Sequence, residues 1–124
     1  MFRLFDFLGR SAAIVALDDA LRASGVHPML VPDAVKHVVV RLQTEDIRPP
    51  AEFFADAAEL LAFCFLGSEA FRETNGDLRA EAMDARFEDA TLEGDSLDAK
   101  LILITVHAGL ICPEIADLVD VEDA

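Results

Sequence analysis

The fold of this chain turns on Leu101-Ile102-Leu103-Ile104. Four successive aliphatic residues suit a buried strand as well as a buried helix, and periodicity alone does not separate the two in so short a run. The surroundings do. A helical pattern extends from about Ser96 to Ala108, and no second convincing strand stands elsewhere in the chain to pair with it. The stretch is therefore read as helix. The whole chain is then all-α, a single compact bundle of about five to seven short helices over residues 1–124, with an acidic tail from about residue 120.

Outward from that helix, Gly109 and Pro113 separate it from a short final helix expected from Pro113 to about Val121. On its other side Glu93-Gly94-Asp95 reads as a loop. Asn75-Gly76 divides the acidic region before it into helices of roughly 68–75 and 77–92. The preceding helix, from about Ala51 to Leu66, closes at Gly67. Its early turns are amphipathic, with Glu52, Asp56 and Glu59 opposite Phe54, Ala58 and Leu61. Leu60–Leu66 is apolar all round, the mark of a helix that is central or covered by a partner. Arg48-Pro49-Pro50 is expected to stop the helix before it, which opens at Pro32-Asp33 and turns Val35, Val38, Val39 and Leu42 inward. Ser11 is expected to cap a helix carrying Ile14, Leu17 and Leu21 and ending at Gly25, while Phe2–Leu8 forms a first helix that docks its phenylalanines in the core.

Charge is distributed unevenly. Residues 1–50 balance six acids with six bases, whereas residues 51–124 set eighteen acids against four bases (Arg72, Arg79, Arg86, Lys100) and so hold the whole net charge of −14. With a pI of about 4.3 the chain repels phosphate backbones and anionic lipid surfaces, so neither a nucleic acid nor a membrane is expected as partner. The absence of Trp and Tyr removes the usual residues for base stacking. Asp6 interrupts the apolar N-terminal residues, no cleavage pattern follows Ser11–Leu17, and no stretch reaches the roughly 18 apolar residues that span a bilayer. A cytoplasmic protein is expected, with Cys64 and Cys112 as reduced, buried thiols.

No catalytic motif stands out. The serines sit at helix caps and turns, the glycines are scattered singly, and no Cys-x-x-Cys or His-Glu-x-x-His appears. An EF-hand alignment starting at Asp89 fails because its last ligand position is Lys100. No metal or cofactor is expected, and an enzyme is the less favoured reading. His107 reads as a core or interface histidine and His37 as an ion-pair partner of Asp33.

Three functional readings remain. The first is a non-enzymatic interaction or regulatory module that docks a basic protein surface through Glu69, Glu73, Asp77, Glu81, Asp84 and Glu88. Arg72 and Arg86 are expected to offset some of that charge through Glu69 and Asp89. The second is a small-molecule-binding bundle or minor enzyme with an apolar pocket near Cys64, His107 and Cys112. The third is a structural homodimer, because burying both Leu60–Leu66 and Leu101–Ile104 in one small domain is hard. The heptad Phe71, Leu78, Ala85, Leu92 does not make a coiled coil, since the matching positions Thr74, Glu81, Glu88 and Asp95 are polar.

Overall fold

The computed structural model describes the backbone of residues 2–94 and 96–116 and, among them, the side chains of all but 2–11, 114 and 116. Every regular element among the described residues is a helix, and none is a strand. In order it forms α1 (Phe2–Ala23), a 3-10 turn (Pro28–Leu30), α2 (Asp33–Thr44), α3 (Pro50–Leu66), α4 (Ser68–Asn75), α5 (Asp77–Leu92), α6 (Leu97–His107) and a single turn, α7 (Pro113–Ala116). Leu101–Ile104 lies inside α6, whose first turn is capped by the Ser96 hydroxyl accepting from the Ala99 N–H at 3.1 Å.

The organising element is α3, which packs against α1, α2, α4, α5 and α6. Its all-apolar end explains this position. Leu60, Leu61, Ala62, Phe63 and Cys64 are buried on every side of the helix, which only a helix ringed by neighbours achieves. Phe63 meets the edge of Phe71 from α4, with centroids 5.7 Å apart, and lies 5.9 Å from Phe87 of α5. From α6, Leu101, Ile102 and Thr105 are buried, while Leu103 stays about half exposed. One chain thus covers most of both apolar stretches by itself.

Helix ends follow local chemistry. At the end of α1 the Val26 N–H reaches the Leu21 carbonyl (2.9 Å) and the Gly25 N–H the Arg22 carbonyl (3.0 Å), a Schellman closure sealed by buried Leu21 and Val26. Gly25 has φ +100°, a conformation that favours glycine, and a Cβ there would lie 2.6 Å from Thr74 Cγ2, so that side chain would have to turn aside. The Asn75 amide then donates to the Ser24 carbonyl at 3.0 Å, tying the end of α4 to the end of α1. At Gly76 (φ +95°, ψ 163°) the backbone turns out of the helix, so α4 and α5 are separate helices, as the Asn75-Gly76 pair predicts.

Several local expectations are corrected. No helix begins at Ser11, because α1 runs unbroken from Phe2; Gly9 is the one glycine in that stretch, and one glycine costs a long helix only about 1 kcal/mol. Whether Phe2–Leu8 docks in the core lies outside the described side chains. The prolines do not stop α2, which ends at Thr44, four residues before Arg48. Asp46 is responsible for the path beyond it, accepting the Arg48 N–H at 2.8 Å in an Asx turn. His37 is exposed and forms no ion pair with Asp33; the titratable partner on α2 is Lys36, buried, with Nζ 2.9 Å from Asp18 Oδ1 of α1. The stretch expected to carry the last helix to Val121, and the acidic tail, lie beyond the described residues.

Candidate functional site

The six acids assigned to a docking surface do not share one row. A continuous helix would align Glu69, Glu73, Asp77 and Glu81, but the turn at Gly76 breaks the alignment. Glu69 and Glu73 remain exposed on α4. Asp77 sits 3.2 Å from Arg72 Nη1, and Asp84 lies 4.0 Å from Arg72 Nη2, so the arginine clamps α4 to the start of α5 rather than pairing with Glu69. Arg86 likewise turns away from Asp89. It grips Asp98 at the start of α6 with two parallel bonds, Nε to Oδ2 at 2.7 Å and Nη2 to Oδ1 at 2.9 Å.

What the structure does bring together is Glu81, Asp84 and Glu88. With Ala85 and Thr91 they occupy one side of α5, at spacings of three, four, seven and ten residues from Glu81. They rim a groove of about 570 Å³ whose floor is formed by Phe63 of α3 and Phe87 of α5. Glu81 and Glu88 have no ion-pair partner among the described residues, and Asp84 has only the long contact to Arg72. An apolar floor under a carboxylate rim can accept an apolar group carried next to a cation. Sequence reasoning located the acids but missed Phe63, Phe87, Ala85 and Thr91, because the floor is shared between two helices whose pairing is a tertiary fact.

A second, shallower cleft of about 530 Å³ lies where α3, α5 and α6 meet the α2–α3 loop. Its charges are mutually satisfied. Arg48 bonds both Asp46 and Asp56 and lies 5.4 Å from the Phe53 ring centre, and Arg79 bonds Glu59. Hydrogen bonds from Arg48 hold the Asp46 carboxyl below the usual carboxylate range. This network fastens the loop to α3 and leaves little charge for a ligand.

The cysteine and histidine candidates separate. Cys64 is fully buried in α3, and burial pushes its thiol from the ordinary 9.0 up to about 12, with the Thr105 hydroxyl pulling weakly the other way. Its carbonyl accepts the Cys112 N–H at 2.7 Å, so the two cysteines meet through their backbones, at a carbonyl left without a helical partner in the last turn of α3. Both thiols are free; Cys112 is half-buried rather than buried. His107 is exposed at the end of α6 instead of lying in the core, and does not face Cys64. The nearby space, against Leu61, Phe65, Thr105 and Leu110, is a void of about 10 Å³, at the limit of a single water.

Asp89 and Thr91, the first two ligand positions of the rejected calcium loop, belong to α5 and not to a loop. Among the described residues no three His, Cys, Asp or Glu side chains gather to hold a metal ion, and no helix is long and apolar enough to cross a membrane. No protein family, no curated protein and no solved structure matches this chain.

Proposed function

We propose that this protein is a non-enzymatic interaction module whose α4–α5 face docks a basic protein surface. The observation that carries the reading is the groove of Phe63, Ala85 and Phe87 rimmed by Glu81, Asp84 and Glu88. Carboxylates around a groove backed by the buried rings of Phe63 and Phe87 steer a cationic partner in and give its apolar atoms somewhere to rest. The surplus of fourteen negative charges in residues 51–124 extends that steering over a wider field. A role confined to solubility needs the charge but not the groove.

The test compares two variants of equal net charge. One is Glu81→Gln/Asp84→Asn/Glu88→Gln; the other is Asp33→Asn/Glu45→Gln/Glu52→Gln, which alters acids away from the groove. Each is used to capture proteins from native lysate at low salt. The reading expects a stoichiometric basic protein on the wild type and the second variant, lost from the first variant and lost at about 0.5 M salt, where the Debye length is only about 4 Å. Equal capture by both variants would assign the charge to solubility alone.

A further inference from the structure

The solvent face of α5 carries a feature that solubility does not require. The helix turns Ala80, Met83, Phe87 and Ala90 into the core, at spacings of three, four and three residues. Its opposite pole is also apolar. Leu78, Ala82, Ala85 and Leu92 follow at i, i+4, i+7 and i+14, with Asp89 completing the row at i+11, and all five are exposed. Leu78 is 84% and Leu92 79% exposed, among the most exposed large apolar side chains described. Fourteen positions apart, they are separated by about 21 Å of helix, nearly four turns. A row at this spacing stays in line along one side of a helix, which is the geometry that receives a second helix.

Charge selects the kind of helix. Glu81 and Glu88 flank the row on the groove side, and Asp89 lies within it; none of the three has an ion-pair partner among the described residues. The two arginines of α5 do not compete, since Arg79 is engaged with Glu59 and Arg86 with Asp98. A second copy of this chain would bring the same carboxylates face to face, and like charges across an interface are strongly unfavourable. We propose that the Leu78–Leu92 face of α5 binds a cationic amphipathic helix of a partner protein, in the helix-on-helix mode. The partner's apolar residues rest on Leu78, Ala82, Ala85 and Leu92, and its lysines or arginines reach Glu81, Glu88 and Asp89. The groove beside Ala85 has room for one bulkier apolar side chain over Phe63 and Phe87. This deepens the docking function proposed above and rests on it.

The test uses two fluorescent 21-residue peptides of identical Leu, Ala and Lys composition. One has its leucines at heptad a and d positions with lysines flanking; the other is scrambled so that no apolar face forms. Anisotropy at about 50 mM salt is expected to show the amphipathic peptide binding at least tenfold more tightly than the scrambled one. The exposed-site variant Leu78→Gln/Leu92→Gln, with an unchanged thermal melt, is expected to weaken the amphipathic peptide roughly tenfold and leave the scrambled one alone. Both peptides binding equally, with loss only in the Glu81→Gln/Asp84→Asn/Glu88→Gln variant, would overturn the helix seam while leaving the acidic docking face standing. No binding of either peptide would overturn both.

Discussion

Two cysteines that look alike in sequence are made chemically different by the fold. Cys64 sits inside the central helix with its thiol raised to about 12, whereas Cys112 lies half-buried at the start of α7. Ellman's reagent at pH 8 is expected to titrate one thiol rapidly in the native protein and two only after unfolding, with Cys112→Ser removing the fast one. The same burial has a consequence for stability. Below the ordinary thiol value of 9.0 both folded and unfolded chains keep the Cys64 proton, and its contribution is fully present. Above it the unfolded chain ionises first, so stability falls as pH rises from 9 toward 12, at about 1.4 kcal/mol per pH unit from this group. Cys64→Ala is expected to flatten that part of the urea-unfolding profile; an unchanged slope would mean that the thiol ionises freely in the folded state.

At the scale of elements, the contact of α1 with α2 is fixed by a charge pair rather than by apolar packing alone. Lys36 lies on the buried face of α2, between Val35 and Val39, and its ammonium is 2.9 Å from Asp18 Oδ1, an atom buried with no other polar partner among the described residues. Removing one member of such a pair leaves the other desolvated and unpaired, whereas replacing both is far less costly. Asp18→Ala is expected to destabilise the protein by about 2–3 kcal/mol in denaturant unfolding, and Asp18→Ala/Lys36→Met to recover most of the loss. Equal losses in the single and double variants would show that packing, not charge, holds the two helices. Sequence periodicity places Lys36 beside the apolar positions without showing whether it is inside, since a long side chain can also carry its charge out to water. Val38, expected inward, illustrates the converse: it is 37% exposed.

At the scale of the whole molecule, like charges dominate residues 51–124, and the arginine pairs offset only part of them. Arg72, Arg79 and Arg86 are each committed to carboxylates within the bundle, which leaves Glu52, Glu69, Glu73, Glu81, Glu88, Asp89 and Glu93 exposed without an ion-pair partner among the described residues. Screening is therefore expected to stabilise the fold, with the melting temperature rising by a few degrees between about 10 mM and 0.5 M salt. A fall over that range would show that the ion pairs contribute more than the repulsion costs. Legibility divides along the same lines. The helix breaks at Gly67 and Gly76, the Ser96 cap, and the central place of Leu60–Leu66 were readable because each depends on a residue's own backbone preference or on a composition that fits only one environment. The groove was not readable, because Phe63 and Phe87 are twenty-four residues apart and meet only when α3 and α5 pack.

The sequence by itself determined that this protein is helical and where several of its helices break, at Gly25, Gly67, Gly76 and Ser96, because caps and positive-φ glycines act within a few residues of the chain; the start of α1 and the end of α2 fell elsewhere than the sequence suggested. Only the tertiary structure decided which side of each helix faces inward. In α5 both candidate faces are apolar, Ala80-Met83-Phe87-Ala90 and Leu78-Ala82-Ala85-Leu92, so the pattern of the helix does not choose between them. Packing against α3, α4 and α6 makes the choice, burying Phe87 against Phe63 and leaving the two leucines in water beside the carboxylates.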